Sequence, residues 1–188
     1  LTVRRPDVTL LPEVPVQRLL IPTGGNLHIP TFFIRGSGRG MLLALDDRGK
    51  EFVLKEEPVA TALKDGWSVC GLDPRGIGEM ATTQTEWLSA ASLLLGNSFV
   101  DRQALDLFAA ASLFQGRPIR LVARGPDAVL AAARAVPHLS GLKSYTFYEG
   151  FQSYREFLNR PKSLETSYQL RKDNSDRFAY DHEIPFFY

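Results

Sequence analysis

The sequence predicts an α/β domain of three layers, with a mostly parallel sheet and helices on both of its faces. Wholly apolar runs such as residues 41–45 are typical of parallel strands that are covered on both sides. From residue 57 onward, segments of helical length alternate with such strands, which is the pattern of a parallel sheet with crossover helices. The 188 residues, 44% hydrophobic and 23% charged, are ordinary for one globular domain.

The first elements are β-strands. Residues 16–21 form a strand candidate, and the Gly-rich turn at residues 23–26 leads into a second candidate at residues 27–34. Because Pro30 has no backbone N–H to donate to a sheet, we expect this second strand to lie at an edge. The apolar strand at residues 41–45 follows.

The remaining elements alternate in type. The pattern predicts three further strands, the first of them buried, and four helices. The strands fall at residues 68–72, 119–123 and 142–148, and the helices at residues 57–64, 86–95, 100–114 and 126–135. We therefore divide the chain into three parts. Residues 1–26 are an N-terminal extension or edge strand, 27–158 are the α/β core with a short helix at 154–158, and 159–188 are irregular.

Charge and composition argue against several partners. The formal net charge is +1 and the basic residues are scattered, so no strong field favours nucleic acid or an anionic membrane. No run approaches the roughly 20 apolar residues of a membrane span. The single cysteine, Cys70, lies in an apolar strand and is expected to be buried, and no Cys/His cluster has metal-ligand spacing. We expect no metal and no cofactor.

Several segments, in their order along the chain, resemble a known family. The most specific is the Asp-x-Arg-Gly-x-Gly loop at residues 73–78, which follows a strand. Residues 43–50 and 119–131 supply a strand with its loop and a strand–turn–helix unit. Together they resemble the α/β-hydrolase superfamily, and within it bacterial proteins similar to acetyl xylan esterases, over residues 27–158. The resemblance implies that the last strands of the sheet, expected beyond Tyr188, are missing from this chain.

The resemblance also locates the expected nucleophile. A hydrolase of this fold carries Gly-x-Ser-x-Gly at a tight turn between a strand and a helix, so that the serine oxygen projects above the sheet. Aligned on this chain, the five positions are Ala123, Arg124, Gly125, Pro126 and Asp127. Gly125 therefore takes the nucleophile position, and glycine has no side-chain oxygen. The turn is degenerate for serine chemistry.

The same resemblance implies the other site residues. Asp46 and Asp47 fall in the loop on the oxyanion side, and Glu149, which ends a strand, is the candidate acid. Three further residues fall at the site rim: Asp73, Arg75 and Arg124. Arg75 either binds a ligand carboxylate or sugar hydroxyl or, with Asp73, braces its own loop.

No histidine fits the triad. His28 lies in an entry strand, His138 in a surface connection and His182 in the irregular tail. The family's histidine follows later strands, which we expect beyond Tyr188. The Gly-rich residues 36–40 resemble a phosphate-binding loop, but a strand rather than a helix follows them, so a hairpin turn is the better interpretation.

Three functions stay open on the sequence. The first is a hydrolase-like domain, related to carbohydrate esterases, that has lost its serine chemistry. The second is an active ester hydrolase that uses a non-standard nucleophile. The third is a nucleotide-binding α/β module, for which Arg120 and Arg124 would supply positive charge. The expected partner is a carbohydrate ester or another small molecule, together with further domains of a longer chain.

Overall fold

The computed structural model describes residues 15–24 and 26–150. The expected helix at 154–158 and the irregular part at 159–188 lie outside the described residues, as does most of the expected N-terminal extension. Among the described residues, no helix combines the length and apolarity that a membrane span requires.

The described residues build one six-stranded sheet in the order β1-β2-β4-β3-β5-β6. β1 and β2 are antiparallel to their neighbours, whereas β4, β3, β5 and β6 run parallel. The predicted mostly parallel sheet is therefore confirmed, with the two entry strands antiparallel. The strands are β1 (Val16–Pro22), β2 (His28–Ile34), β3 (Met41–Asp46), β4 (Ser68–Leu72), β5 (Ile119–Arg124) and β6 (Leu142–Tyr148).

In the part of the chain that the structure describes, five α-helices connect the parallel strands. Two short helices lie between β3 and β4, two longer ones between β4 and β5, and one between β5 and β6. They are α1 (Lys50–Val53), α2 (Glu57–Lys64), α3 (Thr85–Leu94), α4 (Phe99–Ser112) and α5 (Pro126–Ala135). α4 begins where the Ser98 hydroxyl accepts a 3.0 Å hydrogen bond from the Asp101 amide, a typical N-cap.

The expectation that β2 is an edge strand was wrong. β2 pairs with β1 on one side and β4 on the other, and β1 forms the edge. Pro30 is tolerated because the β4 ladder begins one residue later, at Thr31 opposite Leu72. Its carbonyl still accepts a 3.0 Å hydrogen bond from the Asp73 amide. Pro30, which lacks a backbone N–H, therefore lies at the end of the hydrogen-bond ladder between β2 and β4.

Among residues 15–24 and 26–150, the core has two parts, one on each face of the sheet. α4 and α5 cover one face, where Leu107 and Val129 pack against strand residues such as Leu43 and Leu121. α1 and α2 cover the other, where Val53 and Val59 contact the cluster that contains Trp67. These are the three predicted layers. Right-handed crossovers in opposite directions along the sheet place the two sets of helices on opposite faces.

The next two strands along the chain lie on opposite sides of β3 in the sheet. β4, which follows β3 in the chain, is its neighbour on one side, and β5 is its neighbour on the other. The carboxyl ends of β3 and β5, which end at Asp46 and Arg124, therefore flank the topological switch point. Ligands of open α/β sheets bind in the crevice at such a point. The candidate site is therefore expected at this edge of the sheet.

Candidate functional site

Gly125 forms the turn between β5 and α5. Its backbone angles are φ 94° and ψ 158°, a region that residues with a Cβ rarely adopt. Its amide donates a 2.9 Å hydrogen bond to the Tyr148 carbonyl, and its own carbonyl accepts one from the Val129 amide. Glycine therefore suits the backbone of this turn, and it offers no atom that could attack an ester.

The carboxyl group of Asp47 occupies the space above this turn. A Cβ on Gly125 would lie 2.8 Å from the Asp47 Cβ and closer still to its carboxyl carbon. The same carboxylate accepts hydrogen bonds from the amides of Asp127 (3.2 Å) and Ala128 (2.6 Å). A residue of the β3 loop thus caps α5, with its negative charge at the positive end of the helix dipole.

Pro126 follows Gly125 as the first residue of α5. In an α/β-hydrolase one oxyanion donor is the backbone N–H of the residue after the nucleophile. That residue is Pro126 here, and proline has no N–H. The next two amides, of Asp127 and Ala128, already donate to Asp47. At the start of α5, residues 126–128 therefore offer no uncommitted backbone amide.

The β3 loop offers no free amide either. The expected second oxyanion donor lies in this loop. Its N–H groups are all engaged within the protein: Asp47 donates to Arg124 O (3.0 Å), Arg48 to Asp46 Oδ1 (2.9 Å), Gly49 to Asp46 O (2.8 Å) and Lys50 to Asp73 Oδ1 (2.6 Å). A developing oxyanion at this edge would find no uncommitted backbone donor among these residues.

Glu149 and Arg124 form a two-pronged ion pair. Arg124 donates from Nε and Nη2 to the two Glu149 oxygens at 3.0 and 2.7 Å, and from Nη1 to Glu56 at 2.6 Å. The hydrogen bonds from Arg124 lower the pKa of Glu149, and those to Glu149 and then Glu56 raise the pKa of Arg124. The candidate acid is thus paired with an arginine. It is also the one non-glycine described residue with positive φ, at 55°.

Arg48 extends these charges across the sheet edge. It forms a paired contact with the buried Asp46 carboxylate, at 2.9 and 2.6 Å, and reaches Glu56 at 3.2 Å. Asp46, Arg48, Glu56, Arg124 and Glu149 therefore make a continuous chain of alternating charges. Below we call these five residues the charged edge. It lies over the carboxyl ends of β3, β5 and β6.

Asp73, expected at the site rim, is buried beneath the loop that it begins. Its carboxylate accepts from the Lys50 amide at 2.6 Å, from Lys50 Nζ at 2.8 Å and from the Glu79 amide at 3.0 Å. Lys50 is also buried, and its Nζ donates to Glu79 at 2.5 Å. A Cβ on Gly78 would overlap the carboxylate, so the glycine permits the close approach. The carboxylate ties the loops after β3 and β4 together.

Arg75, also expected at the rim, is bound to Asp106 of α4. Asp106 is fully buried and accepts from the Arg75 amide, Nε and Nη2 at 3.0, 2.9 and 2.6 Å. Thr23 adds a fourth hydrogen bond of 2.9 Å, and Gln103 donates to the Arg75 carbonyl. The guanidinium is thus held by a buried carboxylate, in a role that braces the loop.

The two described histidines and the Gly-rich loop make no recorded contact with the charged edge. His28 begins β2 and contacts the Asn26 carbonyl, and His138 packs edge-on against Phe108. His182 lies outside the described residues. Residues 36–40 connect β2 to β3 and open no helix. Within residues 15–24 and 26–150, no three His, Cys, Asp or Glu side chains converge as metal ligands would.

Four functional or bracing residues were missed from the sequence. Pro126 carried a readable signal, since proline after the nucleophile position cannot donate to an oxyanion. No such signal in the sequence marked the other three residues, Glu56, Lys50 and Asp106. Their partners lie 68, 23 and 31 positions away along the chain, respectively. Only the folded chain brings these pairs together.

Solved structures share this architecture. An acetyl xylan esterase from Paenibacillus sp. R4 matches at TM-score 0.64 and 14% identity, over 94% of this chain and 63% of its own. Acetyl xylan esterase 1 from Thermoanaerobacterium sp. JW/SL YS485 matches at TM-score 0.62 and 13% identity, over 97% and 63%. An esterase from Pyrococcus furiosus matches at TM-score 0.59 and 15% identity, over 90% and 64%.

These likenesses establish the fold. The chain has the α/β-hydrolase fold that its sequence resembles, with neighbours among acetyl xylan esterases and other esterases. It spans between about half and two thirds of the length of such structures. No family model and no curated protein sequence matches it.

Proposed function

We propose that this chain is an α/β-hydrolase-fold domain, related to carbohydrate esterases, that binds a ligand without serine ester chemistry. The observation that carries the proposal is the Asp47 carboxylate, which stands where a side chain on Gly125 would begin. Pro126 and the committed amides of the β3 loop support it independently, because they remove the donors that would stabilise an oxyanion. Nucleophile and oxyanion hole are lost together.

The ligand that best suits the site is a carbohydrate ester or another small, hydroxyl-rich molecule. The charged edge supplies guanidinium donors and carboxylate acceptors at the switch point, where this kind of sheet binds ligands. Sugar hydroxyls both donate and accept hydrogen bonds, so they can use both kinds of group. The structural neighbours include enzymes named for acetyl xylan, which makes that polymer the first ligand to test.

Nucleotide binding has less support. A nucleotide phosphate would need the N-terminus of α5 or a glycine loop that opens a helix. Asp47 already occupies the first, and residues 36–40 lead into a strand.

The catalytic half of the proposal is tested with p-nitrophenyl acetate. The purified full chain should show no saturable turnover, and His138→Ala should leave its slow background unchanged. Saturable multiple-turnover hydrolysis that a single substitution at the carboxyl edge abolishes would overturn the proposal.

The binding half is tested by calorimetric titration with acetylated and deacetylated xylo-oligosaccharides, and with ATP as the comparison ligand. We expect saturable sugar binding that Arg124→Ala weakens. Arg39→Ala removes an exposed arginine outside the charged edge and serves as the matched control. Saturable binding of ATP alone, or of none of the three, would contradict the proposed ligand class.

A further inference from the structure

Helix α3 buries two serine side chains and exposes large apolar ones, which is the reverse of what a surface helix of an isolated domain does. Ser89 and Ser92 are only 6% and 7% exposed, and among the helices α3 packs against α4. Trp87 is 67% exposed and Leu94 89% exposed. A surface helix normally turns its apolar stripe to the core and its hydroxyls to solvent. The exposed stripe therefore indicates that something covers it.

The exposed stripe has a regular geometry. Trp87 and Leu94 lie seven residues apart, so they fall on the same face two turns from each other. Ala90, which is exposed, lies between them on that face, and Leu93 (42% exposed) flanks it. A small residue at the centre of a stripe lets a second helix approach closely. We call Trp87, Ala90, Leu93 and Leu94 the α3 stripe.

The α3 stripe is complementary to itself. A two-fold axis that passes between positions 90 and 91 of two antiparallel helices places Trp87 of each copy beside Leu94 of the other. The alanines then face each other at the centre, where the backbones come closest. A two-fold contact requires such self-complementarity, because the same patch is used on both copies.

Charge and area also suit a second copy. Residues 81–98 contain a single charged residue, Glu86, so few like charges oppose each other when two copies meet. With Leu95, which is 72% exposed, the α3 stripe presents apolar surface on the order of 500 Å². Two copies would bury on the order of 1,000 Å², the lower limit for a specific interface.

We infer that α3 is a dimer interface, in which the α3 stripe packs antiparallel against the α3 stripe of a second copy of this chain. The inference does not depend on the proposed function, since neither α3 nor its stripe belongs to the charged edge. It predicts a reversible dimer, because the area is near the lower limit.

Sedimentation velocity of the full chain over a concentration series tests the inference. We expect a monomer–dimer equilibrium, and Trp87→Asp and Leu94→Asp should each raise the dimer dissociation constant at least about thirtyfold, as central apolar anchors do. The matched control is Leu113→Asp, which charges an equally apolar, 55% exposed leucine at the C-terminal end of α4. It should leave the dissociation constant within about threefold.

Cross-linking tests the same contact without changing its apolar residues. Cys70 is fully buried, so an introduced cysteine is the accessible thiol among the described residues. Ala90→Cys should give a covalent dimer with a short bismaleimide, whereas Ala60→Cys, at an exposed position of α2, should not. Circular dichroism of each variant separates loss of folding from loss of association.

Three results would overturn the inference. A chain that stays monomeric at all concentrations and does not cross-link through Ala90→Cys has no such dimer. A monomer in which acrylamide fails to quench Trp87 would show that another part of the chain covers the stripe. A monomer that binds neutral phospholipid vesicles through Trp87 would show a lipid-facing helix instead.

Discussion

The Asp47 carboxyl group lies directly over Gly125, in the space that a side chain at that position would enter. It holds this place by accepting the first available amides of α5, from Asp127 and Ala128. The loop after β3 and the turn after β5 are therefore joined by a cap, at the point where an esterase would bind its oxyanion. The lack of a side chain at Gly125 and the position of the Asp47 carboxyl group are therefore one structural feature.

Substitution of Gly125 should destabilise the chain through two separable effects. Gly125→Ala places a Cβ at φ 94° and against Asp47, and positive φ alone costs about 1 to 3 kcal/mol. Gly38→Ala is the matched control, since Gly38 has φ 110° and nothing within 4 Å. Urea denaturation should show a larger loss at Gly125. Equal losses of unfolding free energy in the two variants would contradict a steric contact between Asp47 and a side chain at position 125.

Removal of the Asp47 carboxylate should weaken α5. Asp47→Ala leaves two amides without their acceptor, and loss of such a cap costs about 0.5 to 2 kcal/mol. In the Asp47→Ala background the added cost of Gly125→Ala should shrink, because the overlap is gone. A double-mutant cycle measures this coupling. Strictly additive effects would contradict the contact.

Asp106 should be among the most important charged residues for stability. Asp106→Ala leaves the guanidinium of Arg75 without its buried partner, at a cost of about 3 to 5 kcal/mol. Glu51→Ala breaks the exposed pair with Arg18 and should cost about 1 kcal/mol or less. Chemical denaturation compares the two. Similar losses in both variants would contradict the bracing role of Asp106.

The pKa of Glu149 should depend on Arg124. Hydrogen bonds from Arg124 lower it, so the ion pair stabilises the fold above the unfolded-state pKa of about 4.3 and loses this effect as the pH falls through the folded-state pKa. In Arg124→Met the pKa should rise toward the ordinary value. Carbon-detected NMR titration of the Glu149 carboxyl measures it. An unchanged pKa would show that the pair does not persist in solution.

Cys70 should be inert in the folded chain. Its thiol is fully buried in β4, and burial raises its pKa to about 12, so almost no thiolate exists at neutral pH. The stability that follows from the raised pKa is complete below the unfolded-state pKa of about 8.5 and declines as the pH rises toward 12. Labelling with a thiol reagent should require denaturant. Rapid stoichiometric labelling without denaturant would contradict the burial.

The sequence predicted the elements well where periodicity was long and apolar. The bounds of α2, α5, β4 and β6 came out as expected, because turn residues or proline mark their ends. α1 was missed because its four residues are too few to show a period. In α4 Leu105 is exposed, as is Leu113 directly after the helix, whereas Gln103 and Asp106 are buried. Tertiary pairing with the Arg75 loop decides that face.

The candidate site was predictable only in part. Gly125 could be placed because a strand–turn–helix unit leaves a local pattern. The Asp47 cap could not, because it joins residues 80 and 81 positions apart. The same holds for Arg124 with Glu56, which are 68 positions apart. Carboxylate–guanidinium pairs leave no periodic signal in a sequence, so their partners emerge only when the strands are placed side by side.

The most direct test of the central claim is intact-mass analysis of the full, folded chain after incubation with a fluorophosphonate. The reagent reacts with a serine that is activated by a base and an oxyanion hole, and the proposed function holds that neither exists around Gly125. We predict no mass increase under conditions that fully label a serine esterase. A single stoichiometric adduct, mapped to a residue at the carboxyl ends of β3 or β5, would contradict the account.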